Sequence, residues 1–118
     1  MLIVDDSEEY VNVFRSGLEA LGHQVSSASQ ADAAMEQMAE AAPEIIFLDV
    51  VMRGGGALTL VHEIRKIDRT TPIVIISGVS GVILSPLFQE GFALAQARVR
   101  KSASLYEINN VILALTQT

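Results

Sequence analysis

Between Pro43 and the triplet Gly54–Gly56 the chain reads Glu-Ile-Ile-Phe-Leu-Asp-Val-Val-Met-Arg, and no other stretch constrains the fold as tightly. Ile45, Ile46, Phe47 and Leu48 form an unbroken apolar run, too short for a helix and closed by loop residues. That is the pattern of a strand buried on both faces of a parallel sheet. Asp49 falls where the strand runs out. Open parallel sheets carry their chemistry at the carboxyl ends of their strands, so Asp49 is an acid delivered to an active edge. Taken alone it reads equally well as a turn-forming Asp.

The rest of the chain repeats the alternation of strand and helix. Leu2–Val4 reads as a buried strand ending in Asp5-Asp6, and Ser7 caps a helix over Glu8–Leu21 with acids in its first turn. Val11, Phe14, Leu18 and Leu21 recur there at helical spacing, and Gly22 ends the helix. Gln24–Ala28 is a weaker strand anchored by Val25. Ser29 starts a second helix, with Asp32 three residues on as a capping signal, and this helix stops before Pro43. Met35 and Met38 read as core filler. A third helix spans Ala57–Ile67, and Pro72 leads into the apolar strand Ile73–Ile76 ending at Ser77. Val82–Gly91 reads as a helix with Pro86 inside it, tolerable where Pro86 falls in the first turn and awkward otherwise, and Ala93–Arg100 as a fifth strand or an extension of that helix. Ser104 and Glu107 form a capping box for a last helix through Leu115. Five such units in 118 residues, with no linker or repeat, specify one α/β domain over 1–118 with helices on both faces of a parallel sheet.

Composition removes several functions. There is no cysteine, hence no disulfide, thiol nucleophile or Cys-ligated zinc. A net charge of −6 argues against nucleic-acid binding, which needs a basic patch. No apolar run is long enough to insert in a membrane. His23 and His62 stand in different elements without metal-ligand spacing and read as ordinary surface or edge residues.

Four strand ends then present polar residues: Asp5-Asp6, Asp49, Ser77 and Lys101. On one sheet edge they converge. Three carboxylates in one pocket repel each other or recruit a cation, and an oxygen-only donor set suits Mg²⁺. A hydroxyl and an ammonium across from them complete a cage for an anionic group, and an aspartate carboxylate is a competent nucleophile toward phosphoryl groups.

The segments Leu2–Ser7, Ile46–Met52 and Ile73–Gly78, together with Lys101, resemble the receiver domain of two-component response regulators, the CheY-like superfamily, from end to end. The resemblance implies a flavodoxin-like fold in which Asp49 accepts a phosphoryl group from the phospho-His of a histidine kinase or phosphotransfer protein. It implies Mg²⁺ held by Asp6, Asp49 and the Val51 backbone carbonyl, with Asp5 on a metal-bound water. Ser77 and Lys101 then contact the phosphoryl oxygens. It also implies a cytoplasmic signalling domain rather than an enzyme, self-catalysing transfer and autodephosphorylation, with kinase docking on the first helix and an unidentified downstream output. Monomer and homodimer both stay open.

The chain departs from the family at Arg53 and Ser102, where the family has proline, and at Arg98, where it has its switch aromatic. These departures point to a signal read mainly through the Gly54–Gly56 and Gly78–Ser85 loops, or to a domain that scarcely switches. Apolar Val51 and Val79 cannot orient an attacking water, which points to a long-lived phosphoaspartate. Two alternatives remain: a pseudo-receiver acting as an unphosphorylated interaction or dimerisation module, and a flavin- or nucleotide-binding α/β protein. The second is disfavoured by Asp-Asp-Ser where a glycine-rich phosphate loop would stand.

Overall fold

The computed structural model describes residues 1–50, 57–78 and 93–116. The three apolar runs read as strands are strands, β1 (Leu2–Val4), β3 (Ile46–Asp49) and β4 (Ile73–Ser77); the weaker β2 (Ser26–Ala28) is one too, and β5 (Ala97–Arg100) resolves the choice between strand and helix extension. They make a single parallel sheet in the order β2-β1-β3-β4-β5. The helices among the described residues are α1 (Glu8–Ala20), α2 (Ala31–Glu40), α3 (Ala57–Ile67) and α4 (Leu105–Thr116). The expected helix at Val82–Gly91, the Gly54–Gly56 loop, Arg53, Val51 and Val79 lie outside the described residues.

The strand order explains why β3 and β4 tolerate no polar residue before their last. Both are interior strands covered on both faces, and all of their residues are buried. On one face Ile3, Phe47, Val74 and Ile76 pack against Val11, Phe14 and Leu18 of α1 and Ile108 and Ile112 of α4. On the other, Leu2, Val4, Ile46, Leu48, Ile73 and Ile75 meet Ala34 and Met38 of α2 and Leu60, Val61 and Ile64 of α3. The edge strand β5 instead alternates between half-buried and exposed residues, which is why Ala97, Val99 and the two arginines gave so weak a strand signal.

Element ends follow local chemistry. Ser7 Oγ accepts the Tyr10 N–H at 3.3 Å and caps α1. Gly22 closes α1 at φ 94°, its N–H donating to Glu19 O while His23 N–H reaches back to Leu18 O, a Schellman pair. Leu21, read as part of the apolar stripe, is the C-cap and is largely exposed. The α2 start differs by one residue: its N-cap is Gln30, and neither Ser29 nor Asp32 forms a capping box. The backbone turns helical only after Gln30, which is extended, so Ser29 lies a residue too early. β2 and β5 are shorter than expected, because Val25 and the segment 93–96 precede their ladders. Ser104 caps the last helix, its Oγ accepting the Glu107 N–H at 3.1 Å. The Glu107 carboxylate accepts from the Ser104 hydroxyl at 3.4 Å, so only the serine half of the expected box is seen.

The edge of the sheet remote from Asp49 is tied by two polar hubs. Arg65 of α3 donates to the carbonyls of Leu94, Asp68 and Thr71 and to Gln96 Oε1, which also accepts the Ile73 N–H. Asp68 accepts from the Thr71 hydroxyl and N–H and from Thr70, which together hold its carboxyl down at about 2. Unfolded, that group titrates at about 4, so between those values the unfolded chain binds the extra proton. Stability from this group is therefore present above about pH 4 and lost as pH falls towards about 2. A Thr71→Val chain should show a smaller fall in its urea midpoint across that window than wild type; an identical fall would refute the assignment.

Candidate functional site

The sheet reverses its winding direction at β1, which has β2 on one side and β3 on the other. The crevice at the carboxyl ends of such a pair is where open α/β sheets bind ligands. Main-chain bonds continue the ladder past the strand ends and fix what stands there: Asp5 N–H on Ala28 O (3.1 Å), Val50 N–H on Ile76 O (3.0 Å) and Lys101 N–H on Ser77 O (2.9 Å). Residues far apart in sequence are thereby set on one rim.

Asp5, Asp6 and Asp49 each place a carboxylate oxygen within 4.8 Å of the others. Asp5 and Asp49 are buried and Asp6 is half-buried. Asp5 Oδ1 accepts the Ser7 N–H at 2.8 Å, so the residue that caps α1 also orients the first acid. Lys101 Nζ lies 3.1 Å from Asp5 Oδ2 and 3.6 Å from Asp49 Oδ2. The Asp5 contact is an ion pair without hydrogen-bond alignment, leaving a buried carboxylate oxygen with no donor on it. The lysine reaches the site although Ser102 follows it and no cis peptide occurs among the described residues. Its stem crosses Gly78, where an added Cβ would already stand 3.5 Å from Lys101 Cδ. Ser77, the buried last residue of β4, is the Cα partner of Arg100 immediately before the lysine.

Three carboxylates against one ammonium leave an excess of two negative charges, the complement of a divalent cation. Oxygens on an octahedral Mg²⁺ lie about 3–4 Å apart, within a small adjustment of the observed spread. The donor set is all oxygen, and the buried Asp5 Oδ2 accepts no hydrogen bond among the described residues, so the group fits a hard ion. The Val51 carbonyl lies outside the described residues. His23 is outside the cluster, 3.4 Å from Asn109 Oδ1, and His62 sits half-buried on α3.

One participant is missing from the sequence reading. Tyr10, in the first turn of α1, places its ring centroid 4.8 Å from Lys101 Nζ. Burial, then the charges of Asp5 and Asp49, push its phenol up to about 12, so it stays neutral beside the acids. The available signal was its place four residues before Phe14, on the stripe that faces the sheet. Arg98, by contrast, is an exposed residue of β5. No helix among the described residues is long and apolar enough to cross a membrane.

Comparison with known proteins agrees in sequence and in shape. The family model described as the response regulator receiver domain matches residues 1–92. The response regulator PleD of Caulobacter vibrioides is 36% identical over 84 residues, covering 69% of this chain and 18% of PleD. The nitrogen assimilation regulatory protein NtrX of Azorhizobium caulinodans is 34% identical over 80 residues, 66% of this chain and 18% of that protein. The chain thus spans less than a fifth of either relative. The crystal structure of the receiver domain of NtrX from Brucella abortus superposes with a TM-score of 0.87 at 26% identity, covering 99% of this chain and 98% of that one. The fold is that of the CheY-like, flavodoxin-like receivers, and the chain belongs to the response regulator receiver domains of two-component systems.

Proposed function

We propose that this domain accepts a phosphoryl group on Asp49 from the phospho-His of a histidine kinase or phosphotransfer protein, with Mg²⁺ bound, and transmits the change to a downstream partner. The observation that carries the reading is the placement of Lys101 Nζ 3.6 Å from an Asp49 carboxylate that shares its pocket with two further acids. Asp6, Asp49 and, through water, Asp5 would hold the ion, which when bound neutralises charge on the transferring phosphoryl group. An Asp49 oxygen attacks phosphorus as the P–N bond to the donor breaks, the electron pair leaving with the imidazole nitrogen. Lys101 takes up the negative charge of one phosphoryl oxygen, and the Ser77 hydroxyl donates to another.

The domain is its own catalyst for transfer and for the later hydrolysis, acting as a cytoplasmic signalling module and not as a turnover enzyme. The exposed Val13 of α1 and its C-cap Leu21 offer apolar surface for the donor to cover. The assembled acid–lysine group favours this reading over an unphosphorylated interaction module, which would need none of it. Incubation with acetyl phosphate tests it. One phosphoryl group should appear in the intact mass with Mg²⁺ present and none with excess chelator; equal incorporation in both arms would refute the metal requirement.

A further inference from the structure

We infer that Tyr10 is a positioning residue of this site, its ring face holding the Lys101 ammonium against Asp5 and Asp49. The inference rests on the phosphoacceptor reading above and extends it to a side chain on α1. Lysine carries its charge on a flexible four-carbon stem, and that of Lys101 is 28% exposed, so something must keep it from swinging into water. The stem lies along Gly78 on one side. The tyrosine ring sits 4.8 Å from the ammonium, within cation–π range.

The ring is itself held in place from the core outward. The Ser7 cap fixes the main chain at Tyr10. The Tyr10 ring lies 5.7 Å from that of Phe14, and Phe14 lies edge-on to Phe47 at 4.8 Å. Phe47 is two residues before Asp49 on β3, so one row of aromatic contacts links the phosphoacceptor strand to the lysine. The Tyr10 hydroxyl is buried without a hydrogen-bond partner among the described residues. The holding is therefore done by the ring, and phenylalanine should serve as well.

The chain has two lysines, Lys66 and Lys101, so spectra of lysine-labelled protein resolve the side chain directly. In wild type and Tyr10→Phe the Lys101 ε-methylene signals should lie upfield of those of Lys66, displaced by the ring, with phosphorylation by acetyl phosphate and Mg²⁺ at matching rates. In Tyr10→Leu the displacement should vanish and phosphorylation should slow about three- to tenfold, the range of a single cation–π contact at a partly shielded site. Undisplaced Lys101 signals in wild type would overturn the inference without any variant having to fold, and so would a wild-type rate in Tyr10→Leu. Should wild type take up no phosphoryl group, the phosphoacceptor reading fails by itself, and the lysine spectra still decide whether Tyr10 holds Lys101.

Discussion

Replacing Lys101 with alanine should slow phosphorylation of the domain by acetyl phosphate about a hundred- to a thousandfold, the usual cost of removing one charge-stabilising donor from a preorganised site. The reason is geometric. The ammonium lies between two carboxylates, 3.1 Å from Asp5 Oδ2 and 3.6 Å from Asp49 Oδ2. Its loss leaves an acidic pocket facing an anionic donor, and it takes from the buried Asp5 Oδ2 the ammonium 3.1 Å away. Bound Mg²⁺ would restore part of that balance, so the rate is compared at saturating metal. The fold survives, because the ladder bond from the main-chain N–H of residue 101 to Ser77 O needs no side chain. Stopped reactions followed by intact mass give the rate directly; a change of less than about tenfold, one part in ten of a typical single-donor effect, would place the lysine outside the chemistry.

What the sequence disclosed and what it concealed divide along a physical line. Leu2–Val4, Ile45–Leu48 and Ile73–Ile76 are legible because interior parallel strands must be apolar on both faces. Once they are placed, the residues that follow each run are at the carboxyl edge whatever the connecting helices do. Asp5, Asp6, Asp49 and Ser77 are read from that rule alone. Lys101 is read from the same rule but rests on the edge strand β5, whose alternating burial carries only weak apolar signal and leaves strand and helix both open in the sequence.

Tyr10 stayed hidden for a different reason. Helical periodicity tells which face of α1 meets the sheet, but a tyrosine at the end of that face reads as ordinary packing. Nothing local says that its ring meets a lysine 91 positions later in the chain. The start of α2 was misplaced by one residue because Ser29 is a good cap in isolation, whereas the turn into the helix is set at Gln30.

The strongest expected effect belongs to Asp49→Ala. Asp49 ends β3 with only 2% of its surface exposed, crowded by Asp5 and Asp6. Deleting its carboxylate removes the proposed nucleophile and at the same time relieves like-charge repulsion, so the variant should fold at least as well as wild type when no metal is added. Loss of reaction cannot then be blamed on loss of structure. The decisive measurement is the intact mass of both proteins after incubation with acetyl phosphate and Mg²⁺, with circular dichroism confirming that each is folded. Wild type should gain the mass of one phosphoryl group and Asp49→Ala none; a phosphoryl group on the variant, or none on wild type, would contradict the account.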